Sequence, residues 1–143
     1  MIAIIPCGAK KRKDRSPAYA MYLGTYFKMN LRYALSITNR EYIFILSAKY
    51  GLLGLEDEIE PYNIKMGDPG CVSVDFVLAQ ARRRDLLGET AICLGGHLYT
   101  DVMRQIWCKH VVPLDCVGRM GYQMQWLKRH MGIVPGSHKA NLP

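Results

Sequence analysis

The hydrophobic residues of this chain fall into two patterns that alternate along its length. Continuous apolar runs at Ile2–Pro6, Tyr42–Ser47, Thr90–Leu94 and His110–Val112 predict four strands, because a strand buried on both faces is apolar throughout. Longer segments with helical spacing lie between them, an alternation typical of a parallel sheet covered by helices. The pattern predicts one α/β domain over residues 1–143, a three-layer α/β/α sandwich with a central parallel four-stranded sheet.

Four segments have the apolar spacing of helices, at residues 17–38, 72–87, 98–107 and 120–131. The first begins at Ser16-Pro17, a capping hydroxyl followed by proline, and Gly24 is expected to divide it. The last helix is expected to pack through one stripe, formed by Met120, Met124 and Leu127. Residues 48–70 are predicted to form a long loop with only short structure, and residues 134–143 a flexible tail.

The charge of the chain is strongly positive. It has 19 Lys and Arg against 12 Asp and Glu, a formal net charge of +7 and a pI of about 9.3. Such a surplus favours an anionic partner, and DNA is the partner we expect; a generally basic surface is the alternative. Two clusters supply the predicted DNA-binding residues, Lys10, Lys11, Arg12 and Lys13 in one loop, and Arg82 and Arg83 near a helix end. Compensation of the helix dipole explains the arginines equally well.

Several classes of protein are disfavoured. No apolar run approaches the roughly 20 residues that span a bilayer, and the chain opens on strand residues rather than a basic leader, so we expect a cytoplasmic protein without a membrane partner. Five scattered cysteines without a C-x-x-C pair argue against disulfides and zinc, and Cys93 and Cys108 are expected in the core. Because the G-x-G-x-x-G and Walker A motifs are missing from the sequence, we expect no cofactor and no metal.

The candidate site lies where three predicted strands end, because open α/β sheets bind ligands at the carboxyl ends of their strands. The expected substrate-binding residues are Cys7, Gly8, Ser47, Tyr50, Tyr62 and Tyr99. Their tyrosine rings offer surfaces on which a base can stack. The candidate catalytic residues are Lys49, Glu60, Asn63 and His97.

These residue types suit the hydrolysis of an N-glycosidic bond. The sugar becomes positively charged in the transition state, so Glu60, or Asn63 through its amide, would hold the attacking water. The departing base becomes anionic and needs a proton donor, which His97 or Lys49 can supply. Each residue also has a purely structural alternative, such as a helix cap for His97 and a turn for Asn63.

The most specific motif is Ser47-Ala48-Lys49-Tyr50-Gly51-Leu52-Leu53, followed by Glu60-Pro61-Tyr62-Asn63. Weaker pieces are Cys7-Gly8-Ala9-Lys10-Lys11, Ala20-Met21-Tyr22-Leu23-Gly24, Gly96-x-x-Tyr99 and Pro113-Leu114. Together they cover most of the chain and resemble a family of small domains of unknown function from phage and bacterial defence settings. The chain is also distantly similar to the YaaA family of DNA-binding stress proteins. The family pattern has Asp where this chain has Asn63.

This resemblance implies a role on nucleic acid. Within the group, the chain is similar to antiphage DNA glycosylases that remove hypermodified cytosines and look like uracil-DNA glycosylase, a parallel four-stranded sandwich. The leading hypothesis is therefore a metal-independent glycosylase that removes glucosylated hydroxymethylcytosine from viral DNA and leaves an abasic site. The alternatives are a transferase or glycosidase acting on nucleotides or tRNA bases, and a non-catalytic DNA-binding module.

Overall fold

A computed structural model describes residues 1–136, which form seven strands and five α-helices. In chain order they are β1 (Ile2–Pro6), β2 (Ser16–Pro17), α1 (Ala18–Met21), α2 (Thr25–Ile37), β3 (Ile43–Ser47), β4 (Gly51–Gly54), β5 (Glu58–Ile59), α3 (Val74–Arg83), β6 (Ala91–Cys93), α4 (His97–Ile106), β7 (His110–Val111) and α5 (Met120–Arg129). A short 3₁₀ helix, Arg40–Tyr42, precedes β3. The chain is a mixed α/β protein. Residues 137–143, most of the predicted tail, lie outside the described part.

The central sheet has five strands in the order β4-β3-β1-β6-β7. The four predicted strands all form and pair in parallel, with Ile4 opposite Phe44 on one side and Cys93 on the other. The fifth strand, β4, runs antiparallel to β3. The predicted four-stranded, wholly parallel sheet is therefore wrong by one strand. That strand lies inside the segment expected to be a loop, and it is only four residues long with a glycine at each end.

A sharp turn explains how β4 forms so soon after β3. Gly51 has φ +74°, a conformation that favours glycine because it has no Cβ. The turn leads directly into pairing of Leu52 and Leu53 with Leu46 and Ile45. A second small sheet pairs β2 with β5. Residues 48–70 thus contain two strands as well as loop.

The helices lie close to the predicted segments. The first predicted helix is divided at Gly24, as expected, into α1 and α2. The Oγ of Ser73 caps α3 by accepting from the amide of Phe76 at 3.1 Å. α2 packs against β1 and α5, while α3 packs against β4 and α4. The connection from β1 to β3 moves towards one edge of the sheet, and the connection from β3 to β6 moves towards the other edge. Because such crossovers are right-handed, α2 and α3 lie on opposite faces of the sheet. None of the helices in residues 1–136 has the length and apolarity to cross a membrane.

The core is built around β1 and β3, whose residues are all buried. Cys93 is buried as expected, but Cys108 is exposed because it follows α4 in the turn that leads to β7. Leu127 is buried, whereas Met120 is 54% exposed. The expected packing stripe of α5 is therefore wrong at its first residue, which opens the helix at the edge of a cavity. The five cysteines are free thiols.

Candidate functional site

The carboxyl ends of β1, β3 and β6 meet at one edge of the sheet, as the sequence predicts. The amide of Cys7, just after β1, donates to the carbonyl of Leu46 at 3.1 Å. Gly95, just after β6, has φ +111°, and a Cβ at this position would lie 2.9 Å from the Pro6 ring. Only glycine therefore lets the ends of β1 and β6 approach this closely.

Two adjoining cavities open at this edge. The larger has a volume of about 790 Å³ and is lined by the loop after β1 and by the first turns of α2, α4 and α5. The smaller has a volume of about 310 Å³ and lies between the same loop and residues 64–66. They share one wall, formed by Cys7, Gly8, Ala9, Leu98 and Tyr99. Both volumes fall within, or at the lower end of, the range of small-molecule pockets.

A chain of three buried hydroxyls runs behind the smaller cavity. Ser47 accepts from the amides of Lys49 and Tyr50 at 3.2 and 3.0 Å. Its Oγ donates to Tyr62 Oη at 2.8 Å, and Tyr62 Oη lies 2.7 Å from Tyr22 Oη. Ser47 is fully buried and Tyr22 is 1% exposed. The motif residue Ser47 thus fixes both the turn after β3 and the ring of Tyr62.

The phenols around the site are held in their neutral form. Burial, reinforced by the Cys7 thiol, raises the pKa of Tyr22, Tyr62 and Tyr99 well above the usual range. Tyr99 Oη lies 3.2 Å from Cys7 Sγ in the shared wall. At neutral pH these groups can donate or accept hydrogen bonds, but they carry no charge.

Lys11 is partly buried, and its side chain lies along the smaller cavity. Its Nζ lies 4.3 Å from the centre of the Tyr62 ring and donates to the carbonyl of Ala9 at 3.2 Å. Its backbone is fixed by an antiparallel bridge to Tyr22. Burial, and to a smaller extent the charge of Lys65, lowers the pKa of Lys11. Of the four residues in the predicted basic cluster, Lys11 is the one that lines the smaller cavity.

The electrostatic surroundings of the larger cavity are positive. Lys10 and His97 line it, and α2, α4 and α5 begin there with no acidic residue in their first turns. A helix N-terminus carries partial positive charge. The carboxylate of Asp115 lies 3.8 Å from His97 Nδ1 and is bound more closely by Arg104, at 2.8 Å. Gly96 holds the N-cap position of α4, and no side chain caps that helix.

The predicted catalytic residues are placed unevenly. His97 lines the larger cavity. Asn63 is exposed and stands between Tyr62 and the cavity residue Ile64. Glu60 is exposed and lies 3.5 Å from Arg15, and Lys49 is exposed with its Nζ 5.2 Å from the Tyr50 ring. Neither Glu60 nor Lys49 is among the residues that line the two cavities.

The remaining predicted binding residues divide between the two sides of the site. Cys7, Gly8 and Tyr99 line both cavities. Ser47 and Tyr62 lie behind the smaller cavity in the hydroxyl chain, and the ring of Tyr50 meets that of Tyr62 edge-on at 5.6 Å.

The two predicted DNA-binding clusters lie at opposite edges of the sheet. Lys10, Arg12 and Lys13 are exposed in the loop at the carboxyl edge. Arg82 and Arg83 end α3, which begins next to Ala48 at that edge and runs back towards the amino ends of the strands. Ten helical residues span about 15 Å, so these arginines are distant from the cavities.

Sequence reasoning missed two residues of the site. Tyr22 looks like an ordinary core-edge tyrosine of a helix, although it belongs to one of the weaker motif pieces. Lys65 lines the smaller cavity from the middle of a loop and carries no motif signal. Among residues 1–136, no group of three or more His, Cys, Asp or Glu is arranged to hold a metal ion.

The fold and the cavities define a mixed α/β protein with two largely apolar cavities and a few basic side chains at the carboxyl edge of its sheet. Residues 2–129 match the model of a family of unknown function, DUF6884, and the chain belongs to this family. No curated protein matches the chain. No solved structure matches it either.

Proposed function

We propose that this protein is a DNA glycosylase that removes a hypermodified base, such as glucosylated hydroxymethylcytosine, from viral DNA and leaves an abasic site. The observation that carries the proposal is the larger cavity, of about 790 Å³, beside a basic loop at the carboxyl edge of the sheet. A glycosylase must flip its target base out of the duplex into such a pocket. The larger cavity offers more room for a base with a bulky substituent than the 310 Å³ of the smaller cavity.

The walls of the larger cavity suit a flipped base. Tyr26, Phe27 and Tyr99 contribute aromatic surface, and Gln123 and His97 contribute polar groups. Stacking on such rings stabilises an extrahelical base. The exposed residues Lys10, Arg12 and Lys13 lie on the same side of the molecule, where they would contact phosphates of the DNA strand.

In the proposed reaction, water replaces the base at C1′ of the sugar. His97 donates a proton to the departing base from the wall of the cavity. Asn63, exposed between Tyr62 and Ile64, holds the attacking water. Glu60 stabilises the positive charge of the sugar at longer range, and it must exchange its contact with Arg15 to approach the substrate.

The fold we propose for this site is that of the uracil-DNA-glycosylase-like enzymes. Four parallel strands at the centre of the sheet, β3, β1, β6 and β7, support this assignment. The antiparallel strand β4 is an addition at one edge. Its role is to hold the turn that follows Ser47, through pairing of Ser47 with Gly51.

The test is an abasic-site assay on two DNA samples from one phage, one containing glucosylated hydroxymethylcytosine and one unmodified. Abasic sites in the modified DNA alone, with release of the sugar-bearing base, are the expected result. Asn63→Ala and His97→Ala should each abolish release while binding to DNA persists. If the protein binds DNA but releases no base from either sample, the glycosylase proposal is refuted and a DNA-binding module is the remaining function.

The placement of the basic residues gives a matched control for DNA binding. Reversing the charge at Lys10 and Lys13 should strongly weaken release from duplex DNA. The same change at Arg82 and Arg83, at the opposite edge, should leave it close to that of the unaltered protein. Equal losses in the two double variants would refute the proposed orientation of the DNA.

A further inference from the structure

The smaller cavity has an unusual balance of charge. Two of its nine lining residues are lysines, Lys11 and Lys65, and none of the nine is acidic. Among residues 1–136, neither ammonium group has a carboxylate within ion-pair distance. The nearby carboxylate of Asp68 accepts instead from the backbone amide of Lys65, at 3.0 Å.

Lys11 is held in this position by its surroundings. Its ammonium group packs on the ring of Tyr62 and donates to the carbonyl of Ala9, while its backbone pairs with Tyr22. The other titratable groups that face it are the Cys7 thiol and the phenols of Tyr22 and Tyr62. The phenols are neutral at pH 7. Burial lowers the pKa of Lys11 most, Cys7 raises it, and the charge of Lys65 lowers it further.

Lys65 is exposed and Lys11 is partly buried, so water screens part of the repulsion between their charges. An anion between them would replace the hydration that Lys11 loses by burial and would relieve the remaining repulsion. The neighbouring larger cavity, if it takes a nucleobase as proposed, places a nucleotide phosphate within reach.

We infer that the smaller cavity is a phosphate subsite, in which Lys11 and Lys65 bind one phosphate group of a nucleotide whose base occupies the larger cavity. This inference rests on the proposed function for the occupant of the larger cavity. The phosphate comes either from the DNA strand, as a diester, or from a free nucleotide, as a terminal monoester. Both sources present anionic phosphate oxygens to the two lysines, two on a diester and three on a terminal monoester.

Binding of deoxycytidine 5′-monophosphate and of deoxycytidine, measured by calorimetry, tests the subsite. The monophosphate should bind about tenfold more tightly or better, since it adds charged hydrogen bonds. Lys11→Met and Lys65→Met should each lose about that factor for the monophosphate and leave the nucleoside unaffected. Lys109→Met is the matched control, because Lys109 is exposed at the amino edge of the sheet, next to β7.

Salt dependence of binding to a short DNA duplex identifies the source of the phosphate. If a DNA diester occupies the subsite, Lys11→Met lowers the slope of log K against log salt by about 0.9. If a free nucleotide occupies it, the slope stays unchanged while monophosphate binding is lost. Lys11→Arg, which keeps the charge, should retain most binding and shows that a loss in Lys11→Met is not a folding defect.

Two results would overturn the inference. One is equal binding of the nucleoside and its monophosphate together with an unchanged slope in Lys11→Met. The other is a loss in Lys109→Met as large as in the two cavity variants. The abasic-site assay separates this failure from that of the proposed function. If the protein releases the base but binds nucleoside and monophosphate equally, only the phosphate subsite is refuted. If the monophosphate binds more tightly but no base is released, only the glycosylase activity is refuted.

Discussion

Replacing Tyr62 with Phe tests whether the hydroxyl chain organises the site. The substitution keeps the ring on which Lys11 packs and removes only the oxygen that joins Ser47 to Tyr22. Two hydroxyls then lose a partner in places that water does not reach, because Ser47 is fully buried and Tyr22 is 1% exposed. Ser47 keeps its two bonds from backbone amides.

The expected cost follows from the two hydroxyls that lose a partner. A buried polar group left without its partner costs about 1–3 kcal/mol. Ser47 keeps two hydrogen bonds, so its cost lies at the low end of that range, about 1 kcal/mol. Together with the loss at Tyr22, Tyr62→Phe should lower the free energy of unfolding by roughly 2–4 kcal/mol. Tyr50→Phe is the matched control. The Tyr50 hydroxyl makes only long contacts of 3.3 Å with the backbone of Glu60, in an exposed position, and its loss should cost less than about 1 kcal/mol.

Urea unfolding of the unaltered protein and both variants measures this difference, with thermal unfolding as a second probe. For a domain of this size, each kcal/mol corresponds to about 3–4 °C in Tm. Tyr62→Phe should change the free energy of deoxycytidine 5′-monophosphate binding less than it changes the free energy of unfolding, because the ring beneath Lys11 remains. If Tyr62→Phe costs no more than Tyr50→Phe, the chain of hydroxyls does not stabilise the site and the reasoning fails.

Four further outcomes follow from the structure. Gly51→Ala should lower the free energy of unfolding by more than about 1 kcal/mol, because φ is +74° and the new Cβ would lie 2.2 Å from Gln80 Oε1. Gly88→Ala, which has open space around it, should not destabilise the protein. Urea unfolding measures both. Burial raises the pKa of the Cys93 thiol to about 12. At pH 8 a thiol reagent should therefore modify the exposed Cys108 and Cys116 before Cys93. Equal modification rates of the three cysteines in peptide mapping would contradict this. The pKa values of Tyr22, Tyr62 and Tyr99 are raised, so the folded protein favours their protonated forms. Their contribution to the free energy of unfolding is intact below the unfolded-state pKa of about 10 and is lost as the pH rises above it. Urea unfolding from pH 7 to 11 will test this. Asn63→Asp should weaken monophosphate binding by adding a negative charge next in sequence to Ile64 and Lys65, which line the smaller cavity, whereas Asn39→Asp, before β3, should have no effect in the same titration.

The parallel part of the sheet could be predicted mainly because β1, β3 and β6 are buried on both faces, while the edge strand β7 is exposed or half-buried. Such strands give uninterrupted apolar runs, and all four were found with nearly correct bounds. β4 could not be found in this way. Its two leucines pair with β3 only because the turn at Gly51 reverses the chain at once, and two apolar residues between glycines match many loops.

The site was predictable in position but not in the direction of its side chains. Strand ends identified Cys7, Ser47 and Tyr99, since backbone topology fixes where they lie. The sequence groups Lys11 with its exposed neighbours, because sequence spacing within a loop does not show which lysine turns towards Tyr62. The bridge to Tyr22 determines that direction, and it joins residues from two different segments.

The net charge of +7 has two parts that differ in kind. At the amino edge, Arg82 and Arg83 lie in the last turn of α3, where the helix dipole favours them, and Arg84 pairs with Asp57 at 3.1 Å. At the carboxyl edge, Lys11 and Lys65 have no carboxylate partner among the described residues. Charge that is already compensated contributes little to binding, so the anion should approach the carboxyl edge, where the cavities open.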